Sequence, residues 1–362
     1  MIQVGILGGG WATRNIWLPC LLDRPNCDLV GIADPEPSAR ASLAHSHPEL
    51  PVFDDTNVLL DGGADLIIVA TPNHLHVPQA KACFERRLHV MVEKPACFTL
   101  REARELAQLA ASKERGFWVS SASLERADIR QMHSIIASGK LGPIRCIDVS
   151  WIRATGIPRP GSWFTRRSSA IGGVGADLGW HMLDVGLSLL GHPETTTSVS
   201  TLACDPPKSG GGKASWYGTD GVTSPNQETA VVDVETQAFA AFATDCGSLL
   251  RLTVAWVSHE SADETRVTVY GRDGTLRLRT MFGFSTDTRG TPSLTFLRDG
   301  REERLPLSDP PKIQPYQSYT MHVLEQIESG SRPSARPVLS VAGAIEKLYA
   351  SEFGEGSVLQ AV

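Results

Sequence analysis

Residues 2 to 7, IQVGIL, form a short β-rich run that breaks into Gly8, Gly9 and Gly10 and then passes into a helical pattern, WATRNIWLPCLL. A second apolar run, DLVGIAD at 28 to 34, ends on Asp34. This is the order of a dinucleotide-binding βαβ unit. The glycines let the backbone approach a pyrophosphate, the helix N-terminus faces its charge, and the terminal acid bonds the ribose hydroxyls. Gly8, Gly10 and Asp34 match those roles. Thr13 stands where a third small residue would allow close helix packing, so the turn alone is a weak fingerprint.

The following segments strengthen it. ADLIIVATPNHLH, 64 to 76, is another apolar strand that ends in a polar loop, and QAKACFERR supplies a helix before the strand of HVMVEKPA, 89 to 96. Strands alternating with helices imply a parallel sheet, whose ligands gather at the carboxyl ends of its strands. Pro95 cannot donate to a sheet ladder and pushes the preceding residue out of helical angles, so the strand stops there and aims Lys94 out of its carboxyl end. Asp34, residues 71 to 76 and Lys94 all fall at such ends.

A chain of 362 residues exceeds the size at which one core stops growing. Two domains are expected, a dinucleotide-binding domain over 1–122 and a substrate-binding and oligomerisation domain over 123–362. The net charge is -6, with neither a basic tract nor a basic amphipathic helix, which argues against nucleic acid and membrane surfaces and for a small-molecule ligand. The seven cysteines are scattered and never spaced C-x-x-C, as in reduced cytoplasmic thiols. No metal site is implied. The apolar start lacks the basic flank of a signal peptide, and no apolar run reaches the ~18 residues of a membrane span.

A second constellation lies at 172 to 191, GGVGADLGWHMLDVGLSLLG, which opens and closes on glycines and reads as a helix between them. Asp177, His181, Asp184 and Ser188 share one stripe, while Leu178, Met182, Val185 and Leu189 form the apolar stripe beside it. A lone histidine on such a helix is usually a core residue, but a carboxylate one turn earlier can orient this one and raise its basicity. Just before the helix, residues 151 to 167 combine Trp151, Trp163 and Phe164 with Arg153, Arg159, Arg166 and Arg167. Aromatic faces suit sugar C–H surfaces, and arginines suit hydroxyls or phosphate. The stretch 204 to 230 is rich in Gly, Ser and Pro, as befits a pocket arm or an oligomer contact.

VEKPA after a buried strand, followed by GG-x-G-x-D-x-G-x-H-x-x-D, resembles the Gfo/Idh/MocA oxidoreductases, which include glucose-fructose oxidoreductase and inositol dehydrogenase. The likeness extends to VATPNHLH, IASGKLGPI and VYGRDG and covers nearly the whole chain. It implies an α/β fold, with an N-terminal Rossmann domain on a parallel sheet and a C-terminal α/β domain on a large, mainly antiparallel open sheet. The resemblance makes Lys94, Asp177 and His181 catalytic. It puts Gly8, Gly10, Trp11, Ala12, Asp34, Thr71, Pro72, Asn73, His76, Glu93 and Lys94 against the cofactor, and Lys94, Arg153, Trp163, Asp177 and His181 against the substrate. It further implies a homodimer or homotetramer.

The chemistry so implied is oxidation of a secondary hydroxyl of a sugar or polyol, with His181 taking the proton and Lys94 bonding the same oxygen. Asp177 either orients the imidazole or bonds a neighbouring hydroxyl. Asp34 and Glu36 favour NAD over NADP, although Arg40 lies close enough to receive a 2′-phosphate. The expected substrate is a neutral or amino sugar, since Asp177, Asp184, Glu125 and Asp128 could greet an ammonium, with a nucleotide sugar or an inositol as the next choice. Eight lysines against 26 arginines is a bias common in GC-rich bacteria, where such enzymes often tailor sugars of antibiotics, aminoglycosides among them. A reductase of a C=N or C=C bond and a noncatalytic NAD-binding regulator are the alternatives from other classes.

Overall fold

The computed structural model describes every residue except 23, 155, 158–160, 206–231, 289, 309 and 354–362. Arg159 and almost all of the stretch 204 to 230 lie outside the described residues. The chain divides into two compact units, Met1–Ala122 with Ile313–Val338, and Ser123–Lys312 with Leu339–Val362.

Among the described residues, the first unit carries six strands: β1 (Ile2–Leu7), β2 (Cys27–Ala33), β3 (Val52–Phe53), β4 (Leu66–Val69), β5 (His89–Val92) and β6 (Phe117–Val119). They pair in the order β3-β2-β1-β4-β5-β6, and every pairing is parallel. A parallel sheet has both faces covered, so its strands need apolar residues at successive positions. β4 shows this fully, with Leu66, Ile67, Ile68 and Val69 all buried. The order reverses direction between β1 and β4, and the crevice outside their carboxyl ends is where such a sheet binds ligands. The helix Leu100–Ser112 opens with a reciprocal cap between Thr99 and Glu102 and buries Ala103, Leu106 and Ala110.

The segment 313–338, expected to belong with 123–362, returns to the first unit. Specific contacts hold its helix Gln314–Glu328 there. Tyr316 meets the buried Trp17 edge-on at 6.3 Å, the Tyr319 hydroxyl donates to the Val119 carbonyl, and the Trp118 indole N–H donates to Gln326 Oε1 at 2.7 Å.

The second unit carries β7 (Ile144–Ile152), β8 (Thr195–Ala203), β9 (Gln237–Thr244), β10 (Leu249–Ala255), β11 (Glu264–Gly271), β12 (Thr275–Thr280), β13 (Ser293–Arg298) and β14 (Arg301–Leu305). Their order is β14-β13-β12-β11-β7-β10-β9-β8, antiparallel except where β7 and β10 run parallel. On β7, Ile147, Val149 and Trp151 are buried while Asp148 and Ser150 alternate with them. That alternation marks a sheet with one covered face. The helix Trp180–Leu189 packs on β7 and β10, and Gly186 permits the approach, since a Cβ there would lie 2.6 Å from Leu250 Cδ1.

His89, at the start of β5, accepts the Gly116 N–H on Nδ1 at 3.0 Å, which requires a neutral ring. Burial first, and the Arg115 charge second, push its pKa from 6.5 to about 4. A group depressed in this way stabilises the fold fully above its ordinary pKa and loses that contribution as pH falls through the folded value. The melting temperature is therefore expected to fall between pH 6.5 and about 4, and less steeply in His89→Leu, in thermal melts across that window.

Candidate active site

In the first unit the glycine turn follows β1. Gly8 has φ +95°, and a Cβ there would lie 2.6 Å from the Ala70 carbonyl oxygen, so only glycine fits. A Cβ on Gly10 would meet nothing within 4 Å, leaving open space above the turn where a pyrophosphate would pass. Trp11 and Ala12 begin the helix behind it and are partly exposed. Thr13 is fully buried, and its hydroxyl donates to the Gly8 carbonyl at 2.5 Å. The side chain that departs from the glycine pattern thus secures the turn, and the helix runs as a wider π-turn over Thr13–Trp17.

Asp34 ends β2 with both carboxylate oxygens on backbone amides. Oδ2 accepts from Gly9 N–H at 2.7 Å and Oδ1 from Glu36 N–H at 2.8 Å. Each oxygen keeps further lone-pair capacity for a ribose hydroxyl. Arg40 does not turn to this carboxylate. Its Nη1 donates to the carbonyls of Asp34 and Pro35 at 3.0 and 2.7 Å, a geometry that ties the guanidinium to the loop.

After β4, the Thr71 hydroxyl donates to Gln79 Oε1 at 2.6 Å, Pro72 precedes a short 3-10 turn over Asn73–Leu75, and Asn73 is buried. His76, expected against the cofactor, is only 1% exposed, and its ring nitrogens face the Pro95 and Thr71 carbonyls at 2.8 Å each. It therefore joins the loop after β4 to the segment after β5. Burial pushes its pKa down, against the pull of the two carbonyls. Lys94 precedes a cis bond to Pro95, and its N–H donates to Glu93 Oε2 at 3.1 Å. Burial raises the Glu93 carboxyl, opposed by the Lys94 charge and N–H and by the Trp17 and Ser120 side chains.

In the second unit, Asp177 sits in a π-turn over Gly175–Gly179 and His181 in the α-helix that continues it. π-turns often mark functional positions. The structure buries all four polar residues of the expected stripe, Asp177, His181, Asp184 and Ser188. Asp177 Oδ2 accepts the Trp256 indole N–H at 2.9 Å and lies 3.8 Å from the Arg153 guanidinium. Arg153 is itself buried, 4% exposed, with Asp263 as a second counter-charge. Burial lowers its pKa while Asp177 and then Asp263 raise it. Arg153, expected against the substrate, is thus also an internal partner of Asp177. Trp163 is 37% exposed and begins an aromatic series, with Phe164 at 5.1 Å and Trp256 at 5.6 Å from Phe164, that ends on Asp177.

Several contributors escaped the sequence. Ser123 Oγ lies 3.3 Å from His181 Nδ1, and Trp151, read from the sequence as a sugar-facing aromatic, instead packs on the same ring at 5.8 Å between centroids. Glu235 Oε1 accepts from Gly173 N–H at 2.8 Å, Gly175 N–H at 3.0 Å and the Tyr349 hydroxyl at 2.6 Å, holding the start of the helix. Its partners lie 60 residues or more away in the chain, so no local spacing could reveal it.

A family model described as "Oxidoreductase family, NAD-binding Rossmann fold" matches residues 2–121, and "GFO/IDH/MocA C-terminal domain" matches 129–277. A protein of Amycolatopsis mediterranei (strain S699), provisionally named UDP-kanosamine synthase oxidoreductase subunit, is 32% identical over 97% of this chain and 96% of its own. D-glucoside 3-dehydrogenase of Escherichia coli (strain K12) is 29% identical over 53% of this chain and 55% of that protein. Among solved structures, GenD2 from gentamicin A biosynthesis, in complex with NAD, has a TM-score of 0.75 at 20% identity, covering 98% of this chain and 95% of that one.

The first unit has an NAD-binding Rossmann fold, and the open space at Gly10 and the oriented Asp34 carboxylate fit that cofactor. NADH is expected to bind more tightly than NADPH. Asp34→Ala is expected to narrow that preference by about 10-fold or more, the order of one hydrogen bond to a charged group. Fluorescence titration with both reduced cofactors checks this, and an unchanged ratio would remove Asp34 from the discrimination.

Proposed function

The chain belongs to the GFO/IDH/MocA family of oxidoreductases, and we propose that it oxidises the 3-hydroxyl of a UDP-hexose to a ketone, with NAD as oxidant. The observation that carries the reaction class is the buried His181, on one helix with Asp177 and with its Nδ1 facing a hydroxyl. Such an imidazole is suited to take a proton from an alcohol. The substrate rests on the end-to-end relative. Kanosamine carries an amino group on C3 of glucose, and an amine is placed on a sugar carbon by way of a ketone there. The partial relative that is a D-glucoside 3-dehydrogenase supports the same carbon.

The structure bears on the choice between an amino sugar and a neutral one. Asp128 is held by Arg126 at 3.0 and 2.6 Å, and Glu125 is paired with Arg130. These carboxylates are engaged by guanidinium groups, which favours a neutral hexose ring. The exposed Trp163 and Arg166 supply an aromatic face and a guanidinium of the kind a uracil and a diphosphate need.

In this reading, bound NAD supplies the acceptor for the hydride of the carbinol carbon. His181 receives the hydroxyl proton, so a ketone forms as the O–H and C–H bonds break. Lys94 presents a fixed ammonium to the negative charge that develops on oxygen. Asp177, held by Trp256 and Arg153, serves as an acceptor for a neighbouring substrate hydroxyl. Such a reaction belongs in the cytoplasm, where NAD and UDP-sugars are made; no helix among the described residues is long and apolar enough to cross a membrane. The apolar side chains left exposed on the second sheet, Val199 at 78% and Phe239 at 43%, support a homodimer or homotetramer.

NADH formation with UDP-glucose, free glucose, amino sugars, aminoglycosides and inositols tests the substrate, and turnover confined to free sugars or inositols would sink it. Lys94→Ala and His181→Ala are each expected to lose about 10²- to 10⁴-fold in kcat, the usual loss for a positioned acid or base. NADH affinity, measured by the same fluorescence titration, is expected to survive both changes.

A further inference from the structure

We propose that Ser123 sets the tautomer of His181, accepting a hydrogen bond from Nδ1–H and thereby keeping the lone pair on Nε2. The inference rests on the reading of His181 as a base. Ser123 Oγ and His181 Nδ1 are 3.3 Å apart, and the two residues are 9% and 8% exposed, so bulk water does not compete freely for the ring nitrogen.

The surroundings fix both groups. Ser123 lies in a short turn over Ala122–Glu125, and Arg126 immediately after it is held by Asp128 and, at 3.0 Å, by the Thr280 hydroxyl. The same guanidinium covers the Phe282 ring at 4.2 Å, Phe282 meets Trp151 edge-on at 5.9 Å, and Trp151 packs on His181. The imidazole is therefore bounded by an aromatic wall as well as by the serine.

A neutral imidazole carries one N–H, and a hydroxyl can either give or receive. If Ser123 donated, Nε2 would hold the proton and could not act as a base. If Ser123 accepts, Nε2 is the basic atom. The second arrangement also persists through the reaction: once His181 gains a proton, both ring nitrogens are donors, and an accepting serine keeps its bond without turning. A site that needs no reorganisation as charge develops is the more effective one. Ser123 is thus a positioning residue that acts through His181.

The test uses the full chain with NAD bound and with its ten histidines labelled with ¹⁵N, the His181 signals being assigned by their loss in His181→Gln. The wild type is expected to show the Nδ1–H tautomer, Ser123→Ala to move toward Nε2–H, and Ser123→Thr to restore the wild-type pattern. In turnover, Ser123→Ala is expected to lose about 10-fold in kcat with KM little changed, the order of one hydrogen bond at a catalytic group. An Nε2–H tautomer in the wild type overturns the proposal, as does a tautomer that follows Asp177→Asn and ignores Ser123→Ala. The wild-type spectrum decides even if a variant fails to fold, and it needs no substrate, so a wrong substrate is told apart from a wrong role for Ser123.

Discussion

A helix buried on every side cannot carry ionisable side chains unless the rest of the unit supplies them with partners. Trp180–Leu189 and the π-turn before it are such an element, and Asp177, His181 and Asp184 all lie on it. The second unit is arranged around that demand. β10 leads into Trp256, whose indole reaches Asp177; β7 leads into Arg153, whose charge faces both Asp177 and Asp263; and Asp263, just before β11, accepts the Ala154 N–H at 2.8 Å and the Ser285 hydroxyl at 2.6 Å. Stripping one member from such a buried ionic group typically costs about 3–5 kcal/mol, because the remaining charge is left without compensation.

The first unit meets the opposite constraint. Its parallel sheet fills its interior with apolar side chains, which leaves the carboxyl ends of the strands as the place where polar groups can gather. Asp34, the Thr71 turn and the Glu93–Lys94 pair all stand there. His76 links two of those ends through the Thr71 and Pro95 carbonyls. A loop tied at both ends in this way holds its geometry at little further entropic cost when a ligand arrives.

These two constraints explain what could be read from the sequence. Apolar runs ending in polar or glycine-rich turns are local, so the alternation of the first unit, the placing of Asp34 and Lys94 at strand ends and the family likeness are all visible. The return of 313–338 to the first unit was not, because Tyr316, Tyr319 and Gln326 meet partners some 200 residues or more away, on an otherwise ordinary amphipathic helix. Arg153 is read from the sequence as a substrate contact because it shares a stretch with aromatics and other arginines. Only the fold shows that it lies beside Asp177. Asp177, His181, Asp184 and Ser188 were legible as a polar stripe, but a regular helical period carries no sign of the π-turn under Asp177, nor of the surroundings that bury the polar face as fully as the apolar one.

Burial of that polar face also bears on the chemistry of the ligand. Asp177 and Arg153 already oppose each other at 3.8 Å, so a charged group entering beside them would be stripped of water and would meet charges that largely cancel. Hydroxyls avoid this difficulty. Each can donate to a carboxylate and accept from a guanidinium or an indole, exchanging its bonds with water for equivalent bonds in the site without adding net charge. Trp151, Trp256 and Phe282 are themselves buried and, with Phe164, form the aromatic packing around His181 and Asp177 that keeps water from these groups. The balance of buried opposite charges around Asp177 holds this helix in place, and for the same electrostatic reason an added ion beside it would be costly while a neutral polar group would not.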